Sequence, residues 1–360
     1  MDEFDTYPLI NRELASEIKS LMPASPRVND ANKPVSMWTE KDRLRGYPEA
    51  TAVVIFRTTG CSWYRFSSCS MCGYFNDISP NVSIDQLKRQ IDSLAAFIGD
   101  IKVLKVFTSG SFLDPMEFPV NARNYFLEKI SGKISKLLVE SRTEYITREN
   151  LSEFKDSGID TRIAIGLETA NDDIMKNIIN KGSTFGKYLN AAEVASKLSM
   201  ELRTYLLFKP LFLSEKNAIA DIIDSISKVS GLTDDVSVNP MNIQRNTLVE
   251  KYWKKGMYRP PRLWSIAKIL LESRGNDCEV ISYPTGGNSI RGAHNDAVDK
   301  KLLELIYTSS LEQKFEELEK YYDDTDHGNY DLYLDMENKM PVQHESATMK
   351  NRLVSSDQTI

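Results

Sequence analysis

Thr58-Thr59-Gly60-Cys61-Ser62-Trp63-Tyr64-Arg65-Phe66-Ser67-Ser68-Cys69-Ser70-Met71-Cys72-Gly73-Tyr74 holds three of the four cysteines of the 360-residue chain. Their spacing is Cys-x7-Cys-x2-Cys. Three thiolates from one loop suit a soft metal centre, and thiolate ligation is how proteins hold iron–sulfur clusters. A structural zinc site requires a fourth ligand. The remaining cysteine, Cys278, lies far along the chain, and the nearest histidine is His294. The spacing therefore favours a 4Fe–4S cluster held by Cys61, Cys69 and Cys72, with one iron open to an exogenous ligand. Zinc with a distant fourth ligand and three unrelated buried thiols are the alternatives. A disulfide framework fits poorly, because the cysteines are few and clustered and no apolar signal segment is present.

Composition sets the frame. Hydrophobic residues make up 41% of the chain and charged residues 27%, ordinary proportions for a globular protein. The length allows one large α/β domain with extensions. No apolar run approaches the length of a membrane span, so no membrane association is expected. The clustered cysteines point to a reducing, cytoplasmic setting. A net charge of −6 is unfavourable for gripping a polyanion unaided.

Outward from the cysteine loop, apolar runs alternate with amphipathic segments. Strands are expected at 52–57, 102–108, 136–141, 161–167, 202–208 and 234–239, with helices at 84–98, 119–130, 147–157, 185–199 and 214–230. Ser83 and Ser214 stand where helix caps belong. Near-continuous apolar strands such as Val103-Leu104-Lys105-Val106-Phe107 fit a parallel sheet covered by helices. A helix is expected over Asn11–Met22, with Trp38 as a packing anchor. Beyond residue 240 the pattern weakens to a helix at 262–274, a strand at 279–283 and a helix near 296–319. The final residues, about 15 of them, lack apolar periodicity and are expected to be disordered.

The cysteine loop follows an apolar strand, Ala52-Val53-Val54-Ile55-Phe56, and so resembles the cluster loop of radical S-adenosylmethionine (SAM) enzymes. Most of that superfamily spaces its ligands x3 then x2. The x7-x2 spacing is similar to that of the RaSEA family, the radical SAM enzymes of archaeosine synthesis in archaeal tRNA. The resemblance continues through Ser109-Gly110-Ser111-Phe112-Leu113-Asp114-Pro115, Glu140-Ser141-Arg142, Ile165-Gly166-Leu167-Glu168-Thr169 and Lys209-Pro210-Leu211-Phe212-Leu213. It extends to Tyr258-Arg259-Pro260-Pro261-Arg262-Leu263-Trp264 and Arg291-Gly292-Ala293-His294-Asn295. It implies an α/β fold, a partial (β/α)6 TIM-type barrel with N- and C-terminal extensions. The expected organisation is an N-terminal extension at 1–50, a core at 51–245, a C-terminal α/β extension at 246–330 and an acidic, polar tail at 331–360.

The resemblance implies one 4Fe–4S cluster and SAM, which chelates the open iron and is cleaved by one electron to methionine and a 5′-deoxyadenosyl radical. Tyr74 is placed to face adenine, or else is a core tyrosine. Ser109, Gly110 and Ser111 stand where the superfamily binds the SAM amino group; a tight strand-to-helix turn is the alternative. Glu140, Ser141 and Arg142 fall where ribose and carboxylate contacts lie, and Glu140 with Arg142 also reads as a surface ion pair. Gly166 and Glu168 resemble the strand supporting adenine. Arg259, Arg262 and Arg291, with Trp264 among them, suit phosphate contact and base stacking or ordinary amphipathic surface. His294 is a substrate-site acid or base, or a satisfied loop histidine.

The implied reaction is C–N bond cleavage in the lysine adduct of 7-cyano-7-deazaguanine in the tRNA D-loop, leaving the formamidine of archaeosine. The implied partners are a lysine-transferring archaeosine synthase, tRNA as substrate and an external one-electron reductant. Rival readings are a methylthiotransferase-like radical SAM enzyme, whose second cluster Cys278 alone cannot supply, and a non-catalytic metal-binding scaffold of an RNA-modification complex.

Overall fold

The computed structural model describes residues 11–24 and 29–339. Eight strands form one sheet in sequence order: β1 Ser36–Asp42, β2 Glu49–Ile55, β3 Val103–Phe107, β4 Lys136–Ser141, β5 Asp160–Glu168, β6 Glu201–Phe208, β7 Asp235–Pro240 and β8 Glu279–Ile281. β1 pairs antiparallel with β2, and every other pairing is parallel. The sheet curls into an open half-barrel of the α/β class.

Alternation along the strands explains the layering. Val54, Leu104, Val106, Leu137, Val139, Ile163, Ile165 and Val236 join the main core with the helices Ile84–Phe97, Val120–Ile130, Phe185–Lys197 and Glu215–Val229. The intervening residues point inward, where Val103, Leu138 and Ala164 form a smaller cluster under Phe107 and Tyr205. Helix entry is set locally. Ser83 and Gln86 form a reciprocal capping box, and Ser214 accepts from the backbone of Asn217.

Inside the curl, at the amino-terminal ends of the parallel strands, lies a buried ion network. Arg203 donates from Nε to Asp235 at 2.6 Å and from Nη1 and Nη2 to Asp42, both at 3.3 Å. Lys105 Nζ reaches Asp42 at 2.5 Å, and Arg162 also pairs with Asp235. Asp42 and Asp235 are fully buried. Arg43, just after β1, forks onto Glu279 of β8 at 2.6 and 2.7 Å, so the two edge strands are tied to each other.

The expected strands and helices between residues 51 and 240 are present with ends shifted by a few residues at most. Three elements depart from expectation. β1 lies within the stretch read as an N-terminal extension. A helix Leu248–Lys254 lies where the pattern weakened. The single helix expected near 296–319 is two, Lys300–Glu312 and Glu316–Asp324. Gln313 separates them at φ +55°, its side-chain amide donating to the carbonyls of Ser310 and Val280. A further helix, Tyr330–Lys339, opens the acidic tail, and the end expected to be disordered lies outside the described residues. Among the described residues no helix is long and apolar enough to cross a membrane.

Asp235→Ala should remove the carboxylate shared by Arg203 and Arg162, leaving them only Asp42 and Glu201, and destabilise the fold by about 3–5 kcal/mol. Chemical denaturation at neutral pH checks this. The same network sets an acid limit: the cations beside Asp42 hold its carboxyl well below the usual range against the opposing effect of burial. Its stabilisation is therefore complete above the unfolded carboxylate pKa of about 4 and lost as pH falls toward the depressed native value.

Candidate cluster and cofactor site

Every parallel strand from β2 to β7 ends on the same side, and the cysteine loop lies across those ends. Cys61 opens a five-residue helix, Ser62–Phe66, that occupies the long arm of the spacing. Trp63 is 1% exposed, and its indole donates to the carbonyl of Asn180 at 2.8 Å. Asn180 adopts a left-handed conformation at the end of the π-turn Met175–Ile179. Its side-chain amide donates to Ser67 Oγ and to the Ser68 carbonyl, both at 2.7 Å. The Ser70 amide bonds the Ile179 carbonyl at 2.8 Å, and the Ser70 carbonyl accepts from Leu248 at 3.0 Å. The loop is thus clamped between the β5–β6 connection and the segment after β7.

The three thiols pack in one apolar cluster with Leu14, Ile18, Ile178, Leu207, Leu211 and Met241. Burial pushes the Cys61 thiol up to about 11 and raises those of Cys69 and Cys72 as well. Cys69 further disfavours the Cys61 and Cys72 thiolates, whereas Arg142 favours those of Cys61 and Cys69 and Lys181 those of Cys69 and Cys72. All are free thiols. Among the described residues no three His, Cys, Asp or Glu side chains close around a single ion. Three clustered thiols beside two cations, Cys69 buried and Cys61 and Cys72 half-buried, fit a metal centre of thiolate ligands. Cys278 stands apart at the start of β8, among Asp234, Asp235, Asp277 and Glu279 at the opposite end of the sheet.

The segment after β3 supports this loop from beneath. A Cβ on Gly110 would come within 2.5 Å of Cys61 Cβ and 2.6 Å of its Cα, so only glycine fits. Glu117, buried, accepts from the Ser111 amide at 2.6 Å and from Thr58 Oγ1 at 2.7 Å, tying the two loops together. Burial pushes its carboxyl up to about 7. Ser109 is also buried. The Ser111 hydroxyl accepts from the Arg142 amide at 3.0 Å.

At the end of β4, Glu140 accepts from the Thr108 amide at 3.1 Å, and burial, with Glu117 nearby, pushes it up to about 8. Ser141 is buried and donates to the Arg142 carbonyl at 3.0 Å. Arg142 bonds Glu144 at 2.5 Å and the Lys181 carbonyl at 3.0 Å, with its guanidinium 5.4 Å from the centre of the Trp63 ring. Glu168 ends β5 at φ +73° and pairs with Lys181 at 2.6 Å; a Cβ on Gly166 would meet that same ammonium at 2.9 Å. Tyr74 is 53% exposed, and Gln244 packs beside the preceding Gly73, where a Cβ would meet its side chain at 2.6 Å. Glu140 and Glu168 both act on Tyr74 electrostatically.

The C-terminal residues separate into different settings. Trp264 is 6% exposed, stacked on Tyr321 and 4.3 Å from the His327 ring, so packing occupies its faces. Arg259 and Arg262 gather on Asp296, and Arg259 also donates to the His294 carbonyl at 2.9 Å. His294 Nδ1 lies 2.8 Å from the Gly292 carbonyl. Arg291 bonds Glu250 at 2.7 Å and lies over Trp253. Sequence reading missed Trp63, Glu117, Asn180, Lys181 and Gln244. Asn180-Lys181-Gly182 carries a weak signal, an Asn and a Gly where a helix ends; the others gain their roles only through contacts distant in sequence.

The Radical SAM superfamily profile matches residues 55–222. The archaeosine synthase subunit beta of Methanosarcina acetivorans is 37% identical over 314 residues, 82% of this chain and 88% of that protein. The chain belongs to the archaeosine synthase subunit beta family, within the radical SAM superfamily. The Thermococcus kodakarensis archaeosine synthase subunit beta is 36% identical over 278 residues, 74% of this chain and 85% of the relative. Among solved structures, methylornithine synthase (PylB) has a TM-score of 0.44 at 16% identity, covering 79% of this chain and 85% of that one.

Alanine at Cys61, Cys69 or Cys72 should each abolish iron and sulfide retention after anaerobic reconstitution, whereas Cys278→Ala should retain a full cluster. Loss of iron from Cys278→Ala with retention in one of the other three would overturn the ligand set. Gly110→Ala should also lower iron content, because its methyl group meets Cys61. Gly231→Ala, where a Cβ meets nothing within 4 Å, is the control.

Proposed function

We propose that this chain is the C–N lyase of archaeosine formation in tRNA. It acts on the lysine adduct of 7-cyano-7-deazaguanine in the D-loop and leaves the formamidine of archaeosine. The observation that supports this most is family membership across most of the chain, joined to a three-thiol loop of x7-x2 spacing at the strand ends. Cys61, Cys69 and Cys72 would hold one 4Fe–4S cluster. When bound there, the cluster and SAM supply reductive sulfonium cleavage and a carbon radical able to remove hydrogen next to nitrogen.

The chain's own residues would bind and orient. Arg142, fixed on two sides by Glu144 and the Lys181 carbonyl, presents a guanidinium suited to a carboxylate. Glu140, pushed up to about 8, is protonated at neutral pH and can both donate and accept toward ribose hydroxyls. Gly110 and Gly166 leave backbone open to close approach, with Ser109, Ser111 and Ser141 beside them, while Glu168 holds Lys181 in place. Tyr74 offers a half-exposed ring to adenine. The apolar cluster of Leu14, Ile18, Leu207 and Leu211 keeps water from the thiol side. Arg259, Arg262, Arg291 and His294 stand as RNA contacts on the C-terminal segment, and Trp264 supports them from the core.

A lysine-transferring archaeosine synthase would supply both the modified base and most of the grip on tRNA. Incubation of lysine-modified tRNA with the reconstituted chain, SAM and dithionite should yield archaeosine on nucleoside analysis. Persistence of the adduct with all components present would refute the assignment. The tRNA affinity near physiological salt should rise when the synthase is added. Tight binding by the isolated chain, unchanged by the synthase, would remove the case for shared recognition.

A further inference from the structure

The helix Tyr330–Lys339 lies against the helix Glu215–Val229 and places one carboxylate at its start. Glu337 Oε2 accepts from the Glu215 amide at 2.6 Å, and Oε1 accepts from Lys209 Nζ at 2.9 Å. Lys209 is 1% exposed and follows directly on β6, at the end of the sheet where the cysteine loop lies. One turn before Glu337, the Tyr333 hydroxyl lies 2.9 Å from Lys209 Nζ and 3.1 Å from Glu215. The Arg262 guanidinium stacks 4.1 Å from the centre of the Tyr333 ring, and that of Arg259 is 5.8 Å away.

The Glu337 carboxylate therefore occupies an anion site made of a helix N-terminus and a buried lysine, with two guanidiniums stacked on the Tyr333 ring beside it. A second observation points to a missing acceptor. Arg262 is 6% exposed, yet its Nε has no partner, and its carboxylate contact, Asp296, is 68% exposed. A buried guanidinium donor left unpaired is costly. Without Glu337, Lys209 would keep only Glu215 as a carboxylate partner, while Arg259 and Arg262 have only the exposed Asp296.

The helix that carries Glu337 is held from one side. Leu332 and Met336, one turn apart, are 58% and 53% exposed. It also belongs to the most acidic part of the chain: residues 312–339 hold ten Asp and Glu against three Lys. An RNA backbone approaching this end of the sheet meets that acidity first.

We propose that this is a phosphate site for the RNA backbone, and that Glu337 holds it in the free chain until a phosphate takes its place and the helix lifts away. The proposal rests on the RNA-substrate reading above and adds to it a site and a displaceable strap. Inorganic phosphate is the first probe. Glu337→Ala should bind it about tenfold more tightly than the wild type, as expected for charge-assisted contacts released to a new anion. Glu337→Gln keeps the shape, removes the charge and should shift affinity the same way. Equal phosphate affinity in all three proteins would overturn the site. In the second arm, hydrogen exchange is followed in the full chain with the synthase, with and without saturating tRNA. Residues 330–339 should exchange faster with tRNA while 263–272 stay protected; unchanged or slower exchange at 330–339 would overturn the strap. Failure to form archaeosine would refute the enzymatic reading and leave the phosphate result standing.

Discussion

The buried pairing of Arg203 with both Asp42 and Asp235 is the constraint on which the site depends. In the sheet, β1 and β6 are separated by four strands, yet Asp42 and Arg203 bond directly across the interior. Such a contact exists only if the sheet is strongly curled. That curl turns the carboxyl ends of β2 to β7 into an arc around one space. Residues from five loops then meet there: Cys61, Gly110, Arg142, Lys181 and Gln244. Buried ion pairs add little net stability over apolar packing, but they disfavour alternatives in which a charge is left unpaired. Here they fix one curvature, and the fork of Arg43 onto Glu279 fixes how near the two edges come.

The electrostatics of the two ends differ in kind. At the amino-terminal end, carboxylates and cations are both charged and matched. At the carboxyl-terminal end, burial pushes Glu117 to about 7 and Glu140 to about 8, so Glu140 is uncharged near neutral pH and Glu117 is divided between its two forms. Arg142 and Lys181, beside the three thiols, are each matched by a carboxylate, Glu144 and Glu168.

Much of this was legible in the sequence, for physical reasons that differ by element. β3 through β7 could be read because one face of each strand packs on helices and carries mostly Val, Leu and Ile. β1 could not, because its inward residues include Glu40 and Asp42, charges whose partners lie on β3 and β6. The three clustered cysteines could be singled out because their spacing is short and the chemistry they suggest is local. Asn180 and Gln244 were not, since each matters only through a contact formed after the sheet has curled. Trp264 read as a stacking surface because aromatic and basic residues alternate around it, while the helix phase that buries it was set by Tyr321 and His327, far along the chain. The reading of the net charge changes for a similar reason. Acidity concentrated between 312 and 339 leaves the rest of the surface close to neutral.

The short helix Ser62–Phe66 fills the long arm between Cys61 and Cys69, and protein contacts alone hold it: Trp63 on Asn180, and Asn180 on Ser67 and Ser68. The thiols are therefore tied to the sheet by bonds between protein groups. On the proposed cluster reading, loss of the metal would leave these bonds unbroken, and rebuilding the centre would start from a loop already anchored at Trp63 and Asn180.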